Sequence, residues 1–107
     1  MAITNFQVGT GVGTAAYTAS ADTAVTVIYI TNKSSSDGNV NVYVVPNYDG
    51  STAPTENYKI YNNLLILAED TYVVDTEKLI LQNGDAIFIA APDSSAQFNA
   101  TISTIGL

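Results

Sequence analysis

The stretch AQFNATIS, residues 96–103, sets apolar and polar side chains in strict alternation. A β-strand points successive side chains to opposite faces, so Phe98, Ala100 and Ile102 share one face and Gln97, Asn99, Thr101 and Ser103 the other. Such a strand is half-buried, one face in a core and one wet. NVNVYV, residues 39–44, reads the same way, with Val40, Val42 and Val44 inward and Pro46 ending the ladder.

Two further runs are apolar on both faces. Residues 24–30, AVTVIYI, are short and β-branched, which favours a central strand over a helix. Residues 85–91 repeat that character. Shorter strands are expected near residues 3–8, 15–18, 58–61, 71–75 and 78–81. Residues 62–69, with Leu64, Leu65 and Leu67, are expected to make one short helical turn.

Turn chemistry separates these runs. Residues 9–13, GTGVG, loosen the chain after the first strand. SSSDGN, residues 34–39, reads as a hairpin loop, with Asp37-Gly38 suited to positive φ. Residues 47–54, NYDGSTAP, form the longest polar stretch and the expected protruding loop. In EKLILQNGDAIFIAA, residues 77–91, Asn83-Gly84 between two apolar β-runs signals a hairpin, with Asp85 bracing the turn through backbone N–H groups. Short strands with regular turns imply an all-β chain: a single antiparallel β-sandwich, jelly-roll or immunoglobulin-like, of about seven to eight strands. Residues 1–107 are expected to form one domain, with residues 1–13 an extended N-terminal arm.

The chemistry available is narrow. Cysteine, histidine, tryptophan and arginine are absent, and Lys33, Lys59 and Lys78 face ten carboxylates for a net charge of −7. Without cysteine there is no disulfide and no thiolate metal site. Without histidine there is no ordinary neutral-pH proton shuttle and no imidazole ligand for zinc. So acidic a chain is a poor partner for nucleic acid, whose binding runs on phosphate neutralisation by Lys and Arg, and for anionic membranes. No apolar run approaches the roughly 20 residues of a membrane span. The first residues lack a basic region followed by an apolar one, so synthesis in a cytoplasm without a secretory signal is expected.

Several constellations reduce to turns. Asp75 and Glu77 alternate onto one strand face, and Glu69-Asp70 sit together, but a glycosidase would also need a cleft with aromatic platforms. Asp37-Gly38-Asn39 and Asp49-Gly50-Ser51 offer oxygen ligands for a surface calcium ion, yet neither continues into a calcium loop. The glycine run at 9–13 lacks the lysine and following helix of a phosphate loop. No catalytic residue, cofactor or resident metal is expected. The seven tyrosines are more informative as a set, since each joins an apolar body to a polar tip. Tyr43 shares its face with Asn41 and Val45, opposite the inward valines, so its ring is expected outside. Tyr48 lies in the long loop.

Taken together, residues 30–34 (ITNKS), 40–46 (VNVYVVP), 67–72 (LAEDTY), 77–85 (EKLILQNGD) and 99–103 (NATIS) resemble small virion proteins of tailed bacteriophages, those of cyanophages and other marine phages among them. The resemblance spans residues ~24–107 and lies in the order of strand and turn motifs, with no catalytic signature. It implies a non-enzymatic structural protein of the virion, assembled in the host cytoplasm: a capsid decoration protein of cement or head-fibre type, held by protein–protein interaction with major capsid or neck and tail subunits. Multiple copies or a homo-oligomer are expected, because repetition turns modest contacts into firm attachment. An apolar sheet face or free strand edge would dock, with Ile3, Phe6 and Val8 of the N-terminal arm, Tyr43, Val45 and Tyr48 as the interface. A neck or tail accessory, or a module that binds host glycan through tyrosines and turn carboxylates, is the alternative. A small glycosidase or esterase is the weakest.

Overall fold

The alternating C-terminal stretch is laid down as a long strand in the computed structural model of the chain, which describes residues 2–75, 79–92 and 98–107. The strands in order are β1 (Ala2–Gln7), β2 (Tyr17–Thr18), β3 (Thr23–Asn32), β4 (Gly38–Val45), β5 (Lys59–Ile66), β6 (Thr71–Val74), β7 (Leu79–Leu81), β8 (Ala86–Ala90) and β9 (Phe98–Gly106). A 3-10 turn, Glu56–Tyr58, precedes β5. Residues 96 and 97 of the alternating stretch lie outside the described residues, but Phe98, Ala100 and Ile102 are fully buried and face inward as their spacing requires.

The strands form two antiparallel sheets packed together, an arrangement compatible with a β-sandwich. The first has the order β1-β9-β3-β6, with β7 in line with β6 along the same edge of β3. The second has the order β2-β8-β4-β5. The chain folds back on itself about residues 46–58, so that β4 meets β5, β3 meets β6 and β7, β2 meets β8, and β1 meets β9. The remaining pairs, β3 with β9 and β4 with β8, also join the first half to the second.

The described residues hold nine strands, more than the seven to eight expected. The two-residue β2 and the division of one edge into β6 and β7 account for the excess. Both turns read as hairpin loops are also corrected. The loop at 34–39 carries the chain from β3 in the first sheet to β4 in the second. Asn83-Gly84 likewise hands it from β7 to β8, across the sheets. The φ angles explain the second case. Gly84 stands at +97° and Asn83 is not positive, while Asp85 N donates to Gln82 O at 3.0 Å. A turn with positive φ at its second central residue alone splays the flanking strands, whereas a two-residue hairpin needs it at the first or at both. Asp85 does brace the corner. Its Oδ2 accepts from Gln82 N at 2.9 Å and its Oδ1 from Asn47 N at 3.0 Å.

Residues 62–69 were the expected helical turn; residues 62–66 belong instead to β5. Tyr61, Leu64 and Ile66 turn inward there, and the three-residue step between the first two imitates helical spacing. The step is a β-bulge. Asn63 adopts φ +54°, the register against β4 shifts between Val40 and Val42, and Asn63 N donates to Asn41 Oδ1 at 2.8 Å.

Apolar side chains line both faces of the second sheet. Val40, Val42, Ile87 and Ile89 join Val25, Ile28, Ile30, Phe98 and Ile102 between the sheets. On the other side Tyr43, Val45, Ala86, Phe88 and Ala90 make a smaller core under Val12, Ala15 and Tyr48. This explains why β8 is apolar throughout. Its outer face is roofed by loops, and burying a side chain such as Phe88 is worth about 1.5–3 kcal/mol.

Candidate interaction surface

The strands of the second sheet hold one charged residue, Lys59. The first sheet has no Asp, Glu, Lys or Arg in any of its five strands. Its outer face is built from cross-strand rows given by the register. Ile105, Ala24 and Ile80 form one row, and Ile3, Ser103 and Val27 the next. Asn5, Thr101, Tyr29 and Val73 follow, then Gln7, Asn99, Thr31 and Thr71. The face therefore grades from apolar to polar. At the apolar end Ile3 is 67% exposed and Ile80 62%, with Tyr29, Val73 and Ile105 also exposed. At the polar end Thr31 and Thr71 hydroxyls meet at 3.0 Å and Lys33 Nζ donates to Asn99 Oδ1 at 3.3 Å. Contiguous exposed apolar side chains without charge are the composition of an interface core.

The six residues expected at an interface go to different places. Ile3 lies on this face. Phe6 is half-buried against the main core and Val8 is wholly within it. Tyr43 and Val45 do lie on the outer face of the second sheet, but they are only 8% exposed, so the expectation of a free Tyr43 ring is corrected. The roofing loops cover them. Tyr48 is part of that roof, its ring edge-on to Phe88 at 5.0 Å between centroids. Tyr29, Val73, Ile80 and Ile105 were not anticipated. Their signal was present in residues 24–30: the run is apolar on both faces and forms the central strand expected, but one of those faces is left bare.

A shallow depression lies beside the long loop, lined by Pro46, Asn47, Tyr48, Asp49, Thr52 and Tyr58 among others. Its carboxylate is already engaged. Asp49 Oδ1 accepts from Ser51 N at 2.8 Å and Thr52 N at 2.7 Å, and Oδ2 from Thr52 Oγ1 at 2.5 Å. These bonds, the Thr52 hydroxyl foremost, lower the Asp49 pKa from 3.8 to about 2. Asp37 Oδ1 similarly accepts from Ala68 N at 2.8 Å, and Asp70 Oδ1 from Thr71 N at 2.8 Å. Of the candidate calcium-loop carboxylates, Asp49 thus braces its own turn and Asp37 ties its loop to the segment at residue 68. Glu77 lies outside the described residues, so the Asp75–Glu77 pair does too. Among the described residues no group of three or more carboxylates is placed to hold a metal ion.

Comparison with known protein families, with characterised proteins and with solved structures finds no match for this chain.

Proposed function

We propose that this chain is a non-enzymatic structural protein of a bacteriophage virion, a capsid decoration protein that docks on neighbouring virion subunits through the outer face of its first sheet. The observation that carries the proposal is the lack of charge within that face: the carboxylates of the described residues occupy loops and turns, and no Asp, Glu, Lys or Arg lies in the strand rows from Ile105 and Ile80 to Gln7 and Thr71. The motif order from residue 30 to residue 103 supports the phage assignment. We further read the two sheets as a jelly roll. The fold-back about residues 46–58 gives four antiparallel pairs, and if β6 and β7 count as one interrupted strand, each sheet has four positions. Eight strands in two Greek keys are that fold, which recurs in viral capsid and in lectin domains.

The test is localisation. The protein should sediment with filled heads and remain on tail-less particles; recovery on isolated tails alone would overturn the capsid assignment in favour of a tail accessory. Ile80→Lys and Ile105→Lys, both at exposed positions, should reduce retention on particles at least ~10-fold with an unchanged far-UV spectrum, since a charge buried at an interface without a partner is costly. Unaltered retention would remove this face from the docking role.

The depression at Tyr48 and Tyr58 favours a second reading, host-glycan binding, because Tyr58 is exposed beside Asn47 and Thr52. Tyr58→Ala should then release the protein from a polysaccharide column, and equal retention counts against it.

A further inference from the structure

We propose that two copies of this chain associate by pairing their β1 strands antiparallel about a two-fold axis at Asn5, joining their first sheets edge to edge.

β1 is the outermost strand of its sheet and its ladder to β9 runs without a break from Ala2↔Thr104 to Gln7↔Asn99. Val8 N donates to Phe98 O at 3.1 Å. Donors and acceptors alternate sides along an antiparallel strand, so the even-numbered residues turn their N–H and C=O to β9. Ile3, Asn5 and Gln7 turn theirs to the open edge. The next group on that side, the Gly9 carbonyl, is already taken by Ala91 N at 2.9 Å, which limits the open stretch to residues 3–7.

Exposed edges are ordinarily guarded by shortness, charge, proline or a bulge. The other edges here are guarded. β2 has two residues, β7 three and β6 four, while β5 carries Lys59 and the Asn63 bulge. β1, AITNFQ, has none of these devices.

The geometry selects a second copy as occupant. Centred on Asn5, an antiparallel self-pair sets Ile3 opposite Gln7 of the other copy and Asn5 opposite Asn5. All the open N–H and C=O groups of residues 3, 5 and 7 then find partners. The contact is isologous, so it consumes both edges and stops at a dimer. Charge permits the same occupant at this edge. Two chains of net charge −7 repel, and like charges directly opposite in a sheet are destabilising. The first sheet, free of charge in every strand, is where such copies approach without that cost, whereas a basic partner would be drawn to the acidic loops. The inference adds a self-contact at the β1 edge to the docking role proposed above for the outer face, and can fail separately from it.

Light scattering on the whole chain over a concentration series should show the mass rising from 11.3 kDa toward twice that value. Amide exchange at Ile3, Asn5 and Gln7 should slow in step. Asn5→Pro removes a donor that β9 does not use, so the variant should fold and remain monomeric at every concentration. Asn5→Lys, on the exposed outer face, sets two cations opposite each other and should also stay monomeric, and mixing it with Asn5→Glu should restore the dimer. A wild-type chain that is monomeric throughout, or a folded Lys variant that dimerises as well as wild type, overturns the proposal. A monomer that binds particles sinks this inference alone. A dimer that never sediments with them sinks the virion assignment alone.

Discussion

Asn32 is a fully buried polar side chain at the end of β3, and it organises a corner. Its Nδ2 donates to Ser36 O at 2.9 Å and to Ile66 O at 3.0 Å, and its Oδ1 accepts from Ser34 N at 3.0 Å. One amide thereby ties the β3–β4 loop to the end of β5. Asn32→Ala would strand these groups, and a buried group left unsatisfied costs about 1–3 kcal/mol. We expect a loss of roughly 2–4 kcal/mol in urea unfolding, and a loss below 1 would show that water replaces the amide. Asp49 illustrates the opposite setting, a bonded but exposed carboxylate. Because its folded pKa is depressed, its contribution is present at pH above 3.8 and is lost as pH falls through about 2. The amide resonances of Ser51 and Thr52 should therefore titrate with a midpoint near 2; a midpoint at 3.8 would mean that the Asp49 bonds do not form in solution.

Among the elements, the loop carrying Tyr48 is a roof for the second sheet. Its backbone is pinned as well, Tyr48 N donating to Gly84 O at 2.9 Å. Tyr48→Ala removes the edge-to-face contact with Phe88 and part of the cover over Tyr43 and Val45. A cost of about 1–3 kcal/mol follows, with the thermal midpoint falling ~4–8 °C per kcal/mol and binding of a hydrophobic dye increasing. An unchanged midpoint with no dye uptake would show that the roof bears no weight. The strands themselves were largely legible in the sequence, because period-two patterning survives in residues 98–103 and 39–44. Where it failed, bulges were responsible. Asn63 breaks the alternation in β5, and the ladder between β3 and β9 shifts between Val25 and Val27. Which sheet each strand joins was not legible, since a turn's residue types do not report whether its strands pair or part. The candidate surface was half legible: residues 24–30 show apolar side chains on both faces of β3, but the pattern cannot say which face loops cover. They cover the second sheet, hiding Tyr43 and Val45, and leave the first bare.

At the scale of the whole molecule, the pairing pattern governs behaviour. Cleavage of the loop at residues 50–51 would separate β1–β4 from β5–β9. Neither fragment retains any of the strand pairs of the intact sheets, so each alone should give a disordered far-UV spectrum, and a mixture should recover the β signal and the thermal transition. A fragment that forms native-like sheet unaided would contradict the topology. Pairings this distant along the chain are also slow to form, in the range of milliseconds to seconds for all-β domains. The same arrangement sets a timetable on the ribosome. At about 5–20 residues per second, the first fifty residues emerge and then wait on the order of 3–10 s for the partners of their strands to be translated. Throughout that interval the nascent segment holds apolar β-runs such as AVTVIYI with no sheet to enter, so mutations that raise stickiness there should lower yield without touching the finished protein.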